Sequence, residues 1–195
     1  MPKVSFDISM SLDGYIAGPG DDVDPLHEWI YGLESWRDRH NLEGGEPGRD
    51  SDVLEEAFRD VGAMVMGKRM FDLGEPHWGD DPPFHLPVFV VTHEAREALP
   101  KGDTTFSFVT DGVPGAVQRA RSAAGERNVA VMGGAEVIQQ CLAEGLVDDF
   151  QLHVVPVLLG AGIRLFAEPG PQLELEPARV IGSPAVTHVR YRVVR

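Results

Sequence analysis

Four short runs, AMVMG (63–67), PVFVVT (87–92), TFSFVT (105–110) and NVAVM (128–132), are apolar almost without interruption. A strand with one wet face alternates polar and apolar residues, whereas a continuous apolar run has both faces covered. The runs are interleaved with segments that read as helices, KRMFDLG (68–74) and GVPGAVQRARSAAG (112–125), and the last is followed by AEVIQQCLAEG (135–145). Covered strands alternating with helices predict an α/β chain, three layers deep, around a mixed but mainly parallel central sheet. The tail breaks this rhythm. DDFQLHVVPVLL (148–159), LELEPARVIG (173–182) and AVTHVRYRVV (185–194) have no helices between them, so they are expected to pair antiparallel along one side of that sheet.

The N-terminal third is less regular. KVSFDISMS (3–11) alternates and reads as a strand, and LDGYIAGPGDDVD (12–24) reads as a loop. PLHEWIYGLESW (25–36) is apolar at helical spacing, with Asp24 as N-cap and Pro25 in the first turn. RDRHNLEGGEPGRDS (37–51) is polar and glycine-rich, and is expected to be a mobile excursion. A further helix is expected from Ser51, with Asp52 and Glu55 at capping-box spacing. With no internal repeat, residues 1–195 are read as one domain.

Bulk properties narrow the function. A net charge of −14 argues against a nucleic-acid partner. No apolar run approaches the roughly 18 residues of a membrane span, and the N-terminus lacks a signal-peptide layout, so a cytoplasmic protein is expected. Cys141 is the single cysteine and reads as a small buried hydrophobe. None of the seven histidines lies in a metal-binding motif, and no metal site is expected.

The chemistry is suggested by glycines. Gly133 and Gly134 end an apolar strand and open a helix, a place where free backbone N–H groups suit an anion such as phosphate. A tight turn needing glycine only for its torsions is the competing explanation. Gly67 repeats the arrangement, followed at once by Lys68 and Arg69. Cations are poorly placed at a helix N-terminus unless an anion binds there; solvated surface cations are the plainer alternative. Two such turns suit a ligand with separated phosphates, and NADPH carries a pyrophosphate and a 2′-phosphate. The Rossmann and P-loop glycine fingerprints are both absent.

With SMSLDGYIA, VMGKRMFDLG and VAVMGGAEVIQQCLAEGLVDDFQLHVVPVLLGAGIRLF in this order, the chain resembles the dihydrofolate-reductase-like superfamily, and within it the reductase domain of bacterial riboflavin biosynthesis. The resemblance implies NADPH as cofactor. It would place Gly133, Gly134, Ala135 and Glu136 at the pyrophosphate and Gly67, Lys68 and Arg69 around the adenosine phosphates. Thr92 and His93 would lie where the 2′-phosphate is recognised, and Ala17 near the cofactor. Asp13 matches the acidic position on the substrate side and is the candidate catalytic residue; a turn aspartate ahead of Gly14 is the alternative. His27, Glu28 and Trp29 fall in the helix that contacts substrate in dihydrofolate reductase. The resemblance further implies a small-molecule substrate and a homodimer.

The chain departs from the riboflavin reductases in two ways. The segment WRDRHNLEGGEPGRD does not match their Ser/Arg-containing substrate segment, and no deaminase signature is present. Trp29, Trp36, Trp78 and Phe84 could form an aromatic wall for a flat heterocycle or simply pack in core and loops. An NADPH-dependent reductase of a heterocyclic or carbonyl-type substrate leads, ahead of dihydrofolate reduction and of a non-catalytic NADP-binding protein.

Overall fold

The structure, a computed structural model, describes residues 2–166 and 169–194. They form two compact units, one from Met1–Phe6 and Asp60–Val147, the other from Asp7–Arg59 and Asp148–Arg195. Strand β1 (Val4–Ser11) gives its first three residues to the first unit and the rest to the second.

The first unit holds β3 (Val61–Gly67), β4 (Pro87–Val91), β5 (Leu99–Lys101), β6 (Thr104–Val109) and β7 (Asn128–Gly133). Their order is β1-β7-β3-β4-β6-β5, parallel throughout except for β5, which runs antiparallel to β6. Every residue of β3 is buried, as its unbroken apolar run requires. Helices α4 (Lys68–Gly74), α5 (Gly112–Ala124) and α6 (Ala135–Ala143) follow β3, β6 and β7. Helix α5 buries Val113, Ala116, Val117, Ala120 and Ala124, a stripe at helical spacing whose small residues let it lie close to the sheet.

The second unit holds β8 (Asp149–Val155), β10 (Leu175–Gly182) and β11 (Thr187–Val193) in the order β10-β11-β8-β1. Strands β10, β11 and β8 pair antiparallel, as the helix-free tail predicts. Strand β2 (Tyr15–Ala17) pairs with β9 (Ile163–Arg164), so the loop expected over residues 12–24 contains a short strand.

The helix expected over residues 25–36 is two helices, α1 (Asp24–Tyr31) and α2 (Glu34–Arg39). Between them Leu33 is extended and buried, and the returning chain bonds to both sides of it: Glu46 N–H donates to the Gly32 carbonyl, and Glu34 N–H to the Glu46 carbonyl. The glycine-rich segment therefore folds back onto α2 instead of forming a free excursion. Arg37 fastens it, donating from Nε and Nη2 to the Glu43 carbonyl at 3.0 and 2.8 Å. Asp24 is the first helical residue and Val23 the cap. Helix α3 (Arg49–Arg59) starts before the expected Asp52 cap, because Asp52 N–H already bonds the Gly48 carbonyl.

Candidate functional site

In the first unit the parallel register aligns the ends of three strands. Met66 pairs with Gly133 and Gly67 with Val91, so the Gly133–Gly134 turn, the Gly67–Lys68 turn and the Thr92–His93 segment emerge side by side. Ligands in open α/β sheets bind beyond the carboxyl ends of parallel strands. The two glycine turns are in direct apposition: a Cβ on Gly67 would lie 3.2 Å from Val137 Cγ2 and 3.3 Å from the Gly134 nitrogen.

The glycines have different reasons for being glycine. Gly133 has φ +119°, a conformation that side chains disfavour, and its bond to Gly134 is cis. Gly67 is bare because the neighbouring turn fills its space. Gly134 has an ordinary backbone, φ −72°, and a Cβ there would meet only open space. Its bareness therefore does nothing for the fold and leaves an uncovered ledge beside the start of α6. The Gly134 carbonyl accepts the first helical bonds from Val137 and Ile138, so the amides of Ala135 and Glu136 precede the ladder and have no intrahelical acceptor. These features fit an anionic group such as a pyrophosphate.

The basic turn is more qualified. Lys68 Nζ contacts both carboxylate oxygens of Asp72 at 2.6 Å, one helical turn on, so that lysine already has an anionic partner. Arg69 and His93 are exposed. Thr92 is buried, and its hydroxyl accepts the Glu94 N–H at 3.1 Å, shaping the turn after β4.

In the second unit Asp13 anchors two loops. One carboxylate oxygen accepts the Ser11 hydroxyl at 2.6 Å and the Leu159 N–H at 3.1 Å, and the other accepts the Gly160 N–H at 2.7 Å. The Ser11 hydroxyl in turn accepts the Tyr15 N–H. The hydrogen bond from Ser11, with those from the two amides, holds the carboxyl down at about 2. Ala17 is buried on β2, and its carbonyl comes so close to Gly162 that no Cβ would fit there.

On α1, Glu28 is exposed while His27 and Trp29 are half-buried. Burial lowers the His27 pKa, only partly offset by Asp24. The Trp29 ring packs against His153 and His188, with centroids 4.9 and 5.3 Å apart, and its Nε1 donates to Ser9 Oγ. The aromatic wall is not one assembly. Trp78 and Phe84 pack around Phe106 in the first unit, and Trp36 stacks on His40 in the second.

Comparison with known proteins decides the family: the RibD C-terminal domain profile matches residues 2–188. The chain belongs to this family. The solved structure of a Shewanella sp. PV-4 protein, named "Putative riboflavin biosynthesis protein", is similar with a TM-score of 0.75 and 26% identity over 99% of both chains. A Thermotoga maritima diaminohydroxyphosphoribosylaminopyrimidine deaminase/5-amino-6-(5-phosphoribosylamino)uracil reductase gives a TM-score of 0.68 at 15% identity, covering 99% of this chain and 57% of that one. YyaP, an uncharacterized protein of Bacillus subtilis (strain 168), is 23% identical over 186 residues, 89% of this chain and 85% of its own. The fold is thus dihydrofolate-reductase-like, and the RibD C-terminal family is one of reductases related to the pyrimidine reductase.

The partners of the candidate site residues differ in how far the sequence announces them. Asp72, four residues after Lys68, was readable from helical spacing. Leu159 and Gly160, which hold Asp13, lie 146 and 147 residues away and act through backbone N–H groups that any residue but proline supplies. The described residues contain no group of three or more His, Cys, Asp or Glu side chains that could hold a metal ion, and no helix among them is long and apolar enough to cross a membrane.

Proposed function

We propose that this chain is an NADPH-dependent reductase acting on a small heterocyclic or carbonyl-type substrate. The observation that supports this best is the uncovered ledge at Gly134, beside the unbonded first amides of α6 and against the Gly67–Lys68 turn. Bound NADPH supplies a hydride from its nicotinamide. In this reading the Ala135 and Glu136 amides bind the pyrophosphate, and Gly134 allows it to approach. Lys68 and Arg69 hold a further phosphate, with Lys68 exchanging Asp72 for it. Thr92 and His93 border the same phosphate.

Asp13 serves the reaction by position. Ionised down to about pH 2, it is a poor proton donor near neutrality. Its part is to hold the Ser11–Tyr15 turn and the Leu159–Gly160 backbone in one arrangement, with Ala17 fixed on the adjoining strand. The half-buried His27 and Trp29, with Glu28 at the helix surface, are the proposed substrate contacts on α1. The same reading includes a homodimer through β10, where Val180 is 64% exposed on a strand with one unpaired edge.

Titration of the purified protein with NADPH and NADH tests the cofactor assignment. Tight NADPH binding with much weaker NADH binding supports it; absence of binding by either overturns it.

A further inference from the structure

The second unit contains a buried polar chain that the proposed reduction does not use. His153 on β8 and His188 on β11 are opposite partners in the antiparallel register, so both rings project from one face. They are 2% and 1% exposed, and their Nδ1 atoms lie 2.6 Å apart. At the outer nitrogens, His153 Nε2 bonds to Asp7 Oδ1, and His188 Nε2 bonds to Asp50 Oδ1 at 3.1 Å. The result is a row of four groups, Asp7–His153–His188–Asp50, drawn from β1, β8, β11 and α3.

The proton content follows from hydrogen-bonding capacity. An ionised carboxylate only accepts, and a ring nitrogen without hydrogen only accepts. Each of the three contacts therefore needs one proton, and four groups joined in a row hold three. Asp7 also accepts the Gln151 amide at 2.8 Å on its other oxygen. With both carboxylates ionised, the two imidazoles share three protons and carry one positive charge between them.

We propose that His153 and His188 form a shared-proton pair that acts as an acid-sensitive latch, fastening α3 to the β8–β11 strands in one charge state. A second positive charge would set two N–H donors nose to nose at the central contact, leaving no acceptor. The pair then separates, and α3 loses its Asp50 attachment.

The surroundings favour the singly charged state. Asp7 and Asp50 stabilise one positive charge; burial, and His27 on α1, oppose a second. Burial is the largest influence on His188 and lowers its pKa, and His153 lowers it further against the pull of Asp50. Other charged groups lie one step out. Arg179 Nη2 bonds to Gln151 at 3.0 Å, Arg179 and Arg190 both reach Glu56 on α3, and Arg190 also pairs with Asp149. The Glu56 contacts provide α3 with a second attachment, one that does not pass through the histidines. The acid-opened state should therefore loosen the start of α3, around Asp50, more than its middle.

The direction with pH follows from linkage. A histidine lowered in the folded state takes up its proton on opening, so opening becomes easier as pH falls below about 6.5, up to tenfold per pH unit for each proton gained. Nuclear magnetic resonance of the full chain, with histidine-labelled nitrogens, tests this without any variant. The expected result is one nitrogen-bound proton shared by the two Nδ1 atoms at neutral pH, lost on acidification together with exchange protection at Asp52, whose N–H bonds the Gly48 carbonyl. Independent titration of the rings as ordinary histidines, or unchanged α3 protection as they charge, would overturn the proposal. Asp50→Asn removes one charge that stabilises the closed pair, and the shared proton should then be lost on acidification at a higher pH. His27→Gln should leave the acid-dependent exchange at Asp52 in place; its disappearance would transfer the switch to His27 and also overturn the proposal.

Discussion

Gly67 and Gly134, 67 residues apart in the chain, are neighbours: a Cβ on the first would stand 3.3 Å from the nitrogen of the second. The parallel pairing of β3 with β7 brings this about, turning two separate strand–helix turns into one surface. The two glycines should consequently fail in different ways. Gly67→Ala presses on Val137 and the Gly134 backbone and is expected to cost about 1–3 kcal/mol of stability, as overpacking does. Gly134→Val enters open space at an ordinary backbone angle and should cost no more than about 1 kcal/mol, yet abolish NADPH binding. Denaturant melts and cofactor titration on both variants separate these outcomes; unchanged NADPH affinity in Gly134→Val would remove the ledge from the site.

Lys68 and Asp72 give a prediction with a gain in it. An exposed i,i+4 pair contributes only about 0.2–0.5 kcal/mol, so its removal leaves the fold intact. Asp72→Asn frees Lys68 and should strengthen NADPH binding severalfold while NADH changes little. Lys68→Ala with Arg69→Ala should do the reverse. Equal effects on the two cofactors would mean that this turn holds no additional phosphate.

Asp13→Asn tests position against chemistry. The amide keeps one acceptor oxygen but turns a donor toward one of the groups that now donate to the carboxylate. The expected result is faster hydrogen exchange at the Leu159 and Gly160 amides and lower turnover, with NADPH affinity kept. Because the folded carboxyl is lowered to about 2 from 3.8, its contribution to stability is complete above about pH 4 and disappears as pH falls toward 2. Acid melts of the variant should be flatter than wild type across that interval. An unchanged turnover would leave Asp13 with a purely architectural part.

Cys141 should be silent toward thiol reagents. It is fully buried on α6, and burial pushes its thiol up to about 12. Labelling at neutral pH is expected only at the rate of unfolding, and a faster reaction would reveal local opening of α6.

The sequence discloses the covered parallel strands well, because burial on both faces leaves no room for polar residues in β3. It discloses the tail strands equally well through the absence of helices. It does not disclose the break at Gly32–Leu33, since the spacing of Leu26, Trp29, Ile30 and Leu33 is equally good for one helix. The break is imposed by Glu46, which pairs across a glycine-rich segment that carries no periodic signal. The glycines of the candidate site are visible as glycines, but only the structure separates Gly133 with its positive φ, the crowded Gly67 and the open Gly134. The His153–His188 pair had no local signature: it exists through strand register, between residues 35 apart.

The long reach of Asp13 also dictates an order of assembly during synthesis. A ribosome delivers the N-terminal motif first, but the two amides that hold it arrive 146 and 147 residues later. Until Gly160 has emerged, the glycine turns at 67 and 133–134 can already be in place while the Asp13 turn has nothing to grip. A nascent chain stalled short of that point would carry both glycine turns but none of the backbone contacts that hold Asp13.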